Sequence, residues 1–213
     1  DGDLRSAMKQ GTKGFLRSGT FKKAQFEEDK ELIVSRARNE GFLDAAVTNV
    51  DLNFREEEPE KLDIVISVTE GEQYFIGDIH WSGNTVFDDL AIADLIWLNK
   101  GDVFKEDQYL EALANLQQVY ADRGYIYITV EPERDIVDQT VNVNFTFIEG
   151  QPAKIHDIQL SGNTKTYDKV ILREMRTFPG DTFSNTRIQS TLRDIFQTGF
   201  FEDVQPDIRP VPN

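Results

Sequence analysis

The sequence contains no cysteine and only two histidines, two methionines and two tryptophans among its 213 residues. Without cysteine, disulfide bonds and thiolate metal ligands are excluded. The absence fits an oxidising compartment, although many cytoplasmic proteins also lack cysteine. Neither His80 nor His156 lies in a metal-ligand spacing such as HExxH, and no nucleophile elbow, P-loop or dinucleotide fingerprint is present. We therefore predict a protein that is not an enzyme and uses no metal or cofactor.

Basic residues are also scarce, since 23 lysines and arginines face 38 acidic residues and the formal net charge is -15. A surface this acidic repels phosphate backbones, so we predict no nucleic-acid partner. No apolar run reaches the roughly 18 residues that a membrane helix needs. Apolar residues are nevertheless 39% of the chain and include 15 phenylalanines. This content predicts real hydrophobic cores and argues against disorder.

Three short motifs recur at one offset of 79 residues (161 − 82). They are SGNT at 82–85 and 161–164, G-D-x-F at 101–104 and 180–183, and EG at 70–71 and 149–150. Independent matches at a single spacing indicate a duplicated unit rather than coincidence. A period near 80 is too long for a solenoid repeat, so each unit is predicted to be a small domain.

The middle copy shows the order of elements within the unit. Strand composition and alternation predict β-strands, and apolar residues at 4-3-4 spacing predict helices. The predicted elements are a strand at 75–81, helices at 88–98 and 105–123, and strands at 125–131 and 140–149. The fold class is therefore α+β, with a three-stranded mixed sheet covered on one face by two helices.

We predict three tandem domains of this β-α-α-β-β kind. They are residues 1–73, lacking the first strand, residues 74–151, complete, and residues 152–213, lacking the last strand. The third copy is expected to keep the order of elements, with its second strand at 201–208. A change of side-chain parity in the first copy predicts a β-bulge near Thr48-Asn49. We expect both ends to be cut from a longer protein.

These motifs, in this order, resemble the polypeptide-transport-associated (POTRA) domain. The resemblance lies in the two Gly-Asn turns, in the helix ends Arg123-Gly124-Tyr125 and Gly199-Phe200-Phe201, and in the two Glu-Gly pairs. The third copy, through Ile171–Arg176 and Gly199–Glu202, is similar to the last such domain of the BamA family of outer-membrane protein assembly factors. The resemblance covers essentially the whole chain.

The resemblance implies a periplasmic segment tethered to the outer membrane by a C-terminal barrel that is absent from this chain. It implies as partners unfolded outer-membrane proteins, accessory periplasmic lipoproteins of the assembly complex, and that barrel. Two alternatives stay open. One is a POTRA segment of a TamA-like or two-partner secretion transporter, and the other is a structural interaction scaffold without transport.

An edge strand presents unpaired N–H and C=O groups, to which an extended client can add as a further strand. The resemblance implies that the second strand of each unit is such an edge. The best predicted client-binding edge is a run of six residues without charge or proline. These residues are Tyr125, Ile126, Tyr127, Ile128, Thr129 and Val130. A second edge is predicted at Val47, Thr48, Asn49 and Val50. Ordinary edges that bind no client are the alternative.

A partner-docking site is predicted at Arg173, Glu174 and Arg176. The resemblance implies that this segment contacts an accessory helical-repeat lipoprotein, with Glu174 matching the acidic residue of the family. The alternative is a solvated helix end with local ion pairs of about 0.2–0.5 kcal/mol each.

Overall fold

The computed structural model describes residues 8, 21–55, 57–58 and 61–211. Most of the start of the first predicted domain therefore lies outside the described residues. In chain order the elements are α1 (Lys23–Arg38), β1 (Ala46–Phe54), β2 (Leu62–Thr69), β3 (Phe75–Ser82), α2 (Asp89–Ile96), α3 (Glu106–Asp122), β4 (Thr129–Val137), β5 (Thr140–Ile148), α4 (Asp168–Glu174) and α5 (Asn185–Gln197). Among the described residues, every helix is too short or too polar to cross a membrane.

The described residues group into two compact units. One unit contains the described residues up to His80 together with Trp97–Ala112 and Glu133–Asn144. In it, α1 buries Phe26, Ile33 and Ala37, which lie on one helical face because they are seven and four residues apart.

The second unit contains Trp81–Ile96, Leu113–Pro132 and Phe145 onwards. Its core is built around Tyr120, which is fully buried. The Tyr120 ring centroid lies 4.9 Å from that of Phe87 and 5.5 Å from that of Phe147. Such aromatic contacts add about 0.5–1.5 kcal/mol beyond the area they bury.

Strands β3, β5 and β4 form a three-stranded sheet in that order, so the last strand in sequence is the central one. Its side chains alternate as predicted, and Val141, Val143, Phe145 and Phe147 are all buried. Alternation at period 2 places these four on one face of the sheet. The predicted α+β class with a mixed three-stranded sheet is confirmed.

The position predicted for the second strand of the middle copy, 125–131, is wrong. Tyr125 continues the end of α3, since its N–H donates to the Tyr120 carbonyl at 3.0 Å. A further turn follows, in which the N–H of Ile128 donates to the carbonyl of Tyr125 at 3.2 Å. β4 begins only at Thr129 and runs through Pro132. Proline is tolerated there because β4 is an edge strand.

The first copy forms an antiparallel hairpin of β1 and β2, in which Val50 pairs with Ile66 and Leu52 with Ile64. The register shifts between Val47 and Asn49, which confirms the predicted β-bulge. Within the described residues β1 has a strand partner on one side only.

The third copy does not keep its strands, contrary to expectation. From residue 152 to residue 211 the described chain contains helices and one isolated bridge, between Lys154 and Thr182. The strand order of the middle copy explains this, because its central strand pairs with both others. A copy without that last strand leaves its first and second strands with no neighbour to bond.

Candidate peptide-binding groove

An open groove of about 780 Å3 runs beside the unpaired side of β1. Its walls are α1, residues 47–50 of β1 and the first turn of α3, and no residue of β2 lines it. Of the two strands of the hairpin, the groove therefore borders β1 alone. All of the lining residues belong to the first unit.

One face of α1 forms the longest wall of this groove. The lining residues are Glu27, Lys30, Glu31, Val34, Ser35 and Arg38. Their spacing follows the helical repeat, so they form a single stripe along the helix. Charged side chains dominate the stripe, and Val34 is its apolar member. The walls other than α1 add apolar surface to the groove through Val47 and Val50 of β1 and Leu110 of α3.

Two of the acidic groups in the groove are neutralised by neighbours. Glu27 pairs with Lys30 at 2.5 Å, and Glu106 pairs with Arg134 at 3.0 Å. The Arg134 guanidinium also lies 5.2 Å from the ring centroid of Tyr109. Burial raises the pKa of Tyr109 despite that nearby positive charge.

Asp107, which lines the groove, joins the start of α3 to the end of α1. The Asn39 side-chain carbonyl accepts a hydrogen bond from the backbone N–H of Asp107 at 3.0 Å, and its amide donates to the Asp107 carboxylate. This bond satisfies one of the free N–H groups at the start of α3. Close by, the Tyr74 N–H donates to the Gly41 carbonyl at 2.9 Å. The end of the first copy is thereby bound to the second.

The structure places the two predicted edges differently. Val47, Thr48, Asn49 and Val50 lie on β1 and line the groove. Of the other predicted edge, Tyr125, Ile126, Tyr127 and Ile128 lie in the turn before β4, and only Thr129 and Val130 belong to that strand. Val130 is buried. The interpretation of residues 125–128 as a strand edge is therefore wrong.

The predicted docking residues Arg173 and Glu174 end α4, and Arg176 follows it. Arg173 pairs with Glu174 at 2.9 Å. Arg176 instead pairs with Asp194 of α5 at 2.6 Å, and its N–H donates to the Thr191 hydroxyl at 2.9 Å. Arg176 therefore holds the end of α4 against α5, whereas the Arg173 side chain is 74% exposed.

Sequence reasoning missed the α1 stripe and the first turn of α3. The stripe could have been found from its charged residues at helical spacing. The contribution of the start of α3 could not have been found from the sequence, because Asn39 and Asp107, which hold it in place, are 68 positions apart. No group of acidic or histidine side chains among the described residues could hold a metal ion.

Comparison with known proteins defines the class of this chain. The family model for POTRA, described as "Surface antigen variable number repeat", matches residues 1–71, 74–150 and 153–213. These matches cover almost the whole sequence, and the chain belongs to the POTRA family.

Individual relatives of known name and individual solved structures are also similar to this chain. A protein of Treponema pallidum (strain Nichols), provisionally named as an outer membrane protein assembly factor, is 30% identical over 212 residues, 97% of this chain and 25% of that protein. The outer membrane protein assembly factor BamA of Neisseria meningitidis serogroup B is 26% identical over 198 residues, 92% of this chain and 25% of that protein. The chain thus spans about a quarter of the length of these curated relatives.

The crystal structure of Haemophilus influenzae BamA POTRA3-5 matches with a TM-score of 0.76 and 25% identity, covering 98% of this chain and 84% of that one. A structure of BamA from Haemophilus ducreyi lacking POTRA domains 1-3 matches with a TM-score of 0.53 and 20% identity, covering 68% of this chain and 27% of that one. The second match supports the fold alone. The similarity to BamA POTRA segments therefore rests on both sequence and structure.

Proposed function

We propose that this chain is the periplasmic segment of an outer-membrane protein assembly factor and that β1 binds unfolded outer-membrane proteins by strand addition. The relatives named as outer membrane protein assembly factors support the general role. The observation that carries the site is that β1 has a described strand partner on one side only, with a groove of about 780 Å3 beside it.

Strand addition suits a receptor for many clients, because backbone hydrogen bonds do not depend on side-chain identity. Each bond contributes about 0.5–1.5 kcal/mol net. A short added strand is therefore held weakly and released easily. The bulge between Val47 and Asn49 interrupts the ladder of β1, so a client pairs continuously only with the stretch from Asn49 onwards.

Docking of an accessory periplasmic lipoprotein is the second part of the proposal, and it is assigned to α4. Support comes from the exposed Arg173 side chain and from two exposed apolar residues nearby, Tyr167 at 79% and Leu172 at 45%. Arg176 contributes indirectly, because it is already paired with Asp194. A membrane barrel following the chain completes the proposed arrangement.

Single-cysteine cross-linking tests the client site, since the sequence has no cysteine of its own. Asn49→Cys places a thiol on the exposed side of β1, and Val65→Cys places one on the partner strand β2, where Val65 is 52% exposed. The probe is a peptide copied from an outer-membrane barrel strand, with alternating apolar and polar residues and a central cysteine. We expect a mixed disulfide at Asn49→Cys and none at Val65→Cys.

A third variant, Thr129→Cys at the start of β4, makes the experiment decisive. Cross-linking at Thr129→Cys but not at Asn49→Cys would move client binding to the second copy and overturn the assignment to β1. Equal cross-linking at all three sites would show non-specific thiol exchange and likewise contradict the proposal.

A further inference from the structure

The groove beside β1 holds two charges that no described residue neutralises. Glu31 and Arg38 both line it and are both exposed. Neither makes an ion pair with any described residue, whereas Glu27 and Glu106 in the same groove are paired. We infer that Glu31 and Arg38 recognise the order of charges along the bound segment, so that the groove prefers clients with one cation and one anion facing α1. The inference rests on the proposed strand addition.

The spacing of the two charges fits an extended ligand. Glu31 and Arg38 are seven residues apart, which is about 10.5 Å along a helix at 1.5 Å per residue. In a β-strand, residues on one face repeat every second position, about 6.6 Å apart, and every fourth position, about 13 Å apart. Long flexible side chains bridge the difference, so a cation and an anion two or four residues apart on one face of a client reach Glu31 and Arg38 together.

The internal repeat shows that the fold does not require these charges. Aligning Gly41 with Gly124 (124 − 41 = 83) also aligns Phe21 with Phe104 (104 − 21 = 83). In this alignment the positions of Glu31 and Arg38 are occupied by Ala114 and Ala121 of α3. The same helix position therefore folds with alanine in the second copy, and the charges are a property of the first groove.

For a client that adds antiparallel to β1, the more stable pairing, charge order selects the register and favours one sequence of charges over its reverse. Backbone bonds alone hold an extended chain in more than one register, because they are the same at every residue. Complementary charges favour one arrangement and penalise like-charge contacts. One cation opposite Glu31 and one anion opposite Arg38 therefore fix how a client lies in the groove.

Two peptides of identical composition test the inference. Both are extended ten-residue sequences with alternating apolar residues. In one a lysine precedes an aspartate by four positions, and in the other the aspartate comes first. Their dissociation constants are measured by fluorescence anisotropy at low salt with the whole chain. Since two exposed ion pairs are gained in one order and two like-charge contacts in the other, we expect about a 5- to 10-fold difference.

The charge-swapped double variant Glu31→Lys with Arg38→Glu should reverse the preference between the peptides. Glu31→Ala with Arg38→Ala should abolish the preference between the two peptides. The matched control exchanges Arg36 of α1 and Glu40 of the turn that follows it, an ion pair at 2.9 Å whose members do not line the groove. This exchange should change neither dissociation constant.

Equal binding of the two peptides, or a preference that survives the charge swap, would overturn the inference and leave strand addition intact. Failure of both peptides to bind would instead count against the proposed function. Circular dichroism of each variant checks that the helix content of the chain is unchanged.

Discussion

Asp122 binds Thr186 with both oxygens of its carboxylate. Its Oδ1 accepts a hydrogen bond from the Thr186 N–H at 2.8 Å, and its Oδ2 accepts one from the Thr186 hydroxyl at 2.6 Å. Asn39 makes the corresponding bond to Asp107 in the first unit, and Asp107 and Thr186 are 79 positions apart (186 − 107). In each unit, the end of one repeat's helix thus caps the start of a helix in the next repeat.

Replacing Asp122 should loosen the start of α5. Asp122→Ala removes two acceptors from the Thr186 backbone and hydroxyl, so we expect a local loss of about 1–2 kcal/mol. Hydrogen exchange at the Thr186 amide, followed by NMR, measures this loss directly. Asp122→Asn is the matched control, because its amide oxygen can still accept the N–H bond as Asn39 does. Unchanged protection of Thr186 in Asp122→Ala would contradict the capping role.

The turn at Gly41 should tolerate no side chain. Gly41 has a φ of +96°, and an added Cβ would lie 2.5 Å from Val103 Cγ1 and 2.9 Å from Gln73 Cγ. Gly101 has a similar φ of +90° but has nothing within 4 Å of the added carbon. Both alanine variants carry left-handed strain of about 1–2 kcal/mol, and only Gly41→Ala adds overpacking of about 1–3 kcal/mol.

Thermal unfolding of Gly41→Ala and Gly101→Ala side by side isolates the packing contribution at Gly41. We expect the lower midpoint for Gly41→Ala. Equal midpoints would show that Val103 and Gln73 move aside without cost. The close packing of these two side chains against Gly41 would then not contribute to stability.

The elements that could be predicted from the sequence are those whose signal is local. β5 was predictable because one-sided burial imposes strict alternation from Val141 to Phe147. Residues 125–128 were misassigned because aromatic and β-branched residues of this kind occur both in strands and in turns that end helices. The hydrogen bond of Tyr125 to the Tyr120 carbonyl decides between them, and composition does not report it.

The SGNT motif is explained by contacts near and far in sequence. Asn84 donates to the Phe87 carbonyl at 3.1 Å and Asn163 to the Thr166 carbonyl at 2.9 Å, so the turn is repeated as predicted. The N–H of Thr85, by contrast, donates to the Glu149 carboxylate 64 positions away at 2.7 Å. In the middle copy the SGNT and EG motifs therefore contact each other through Thr85 and Glu149, and no local sequence pattern reveals this contact.

Tyr120 and Glu149 should be energetically coupled. The Tyr120 hydroxyl donates to Glu149 Oε1 at 2.8 Å, and Tyr120 is fully buried. A double-mutant cycle of Tyr120→Phe and Glu149→Gln should give a coupling free energy of about 1 kcal/mol, because a hydrogen bond to a charged group is stronger than one between neutral groups. A cycle made with Tyr125→Phe, a ring 6.2 Å from Tyr120, is the control and should show no coupling. Additive effects of Tyr120→Phe and Glu149→Gln would show that the negative charge of Glu149 does not strengthen this bond.

The stability that Glu149 contributes should depend on pH in a defined direction. Burial is the largest single influence on this carboxyl and raises its pKa, but hydrogen bonds from Thr85, Val86 and Tyr120 together outweigh it and lower the pKa below the ordinary value of 4.5. A carboxylate with a lowered folded pKa stabilises the fold above the unfolded pKa and loses that effect as the pH falls through the folded value.

The difference in unfolding free energy between the native chain and Glu149→Gln should therefore be constant from pH 7 to about 5 and shrink below about pH 4.5. Urea unfolding at a series of pH values measures it. Glu70→Gln is the matched control, because Glu70 is the equivalent residue of the first copy and makes no side-chain hydrogen bond with any described residue. A difference that grows as the pH falls would mean that burial dominates, and that the bonds to Thr85 and Val86 do not hold the charged form.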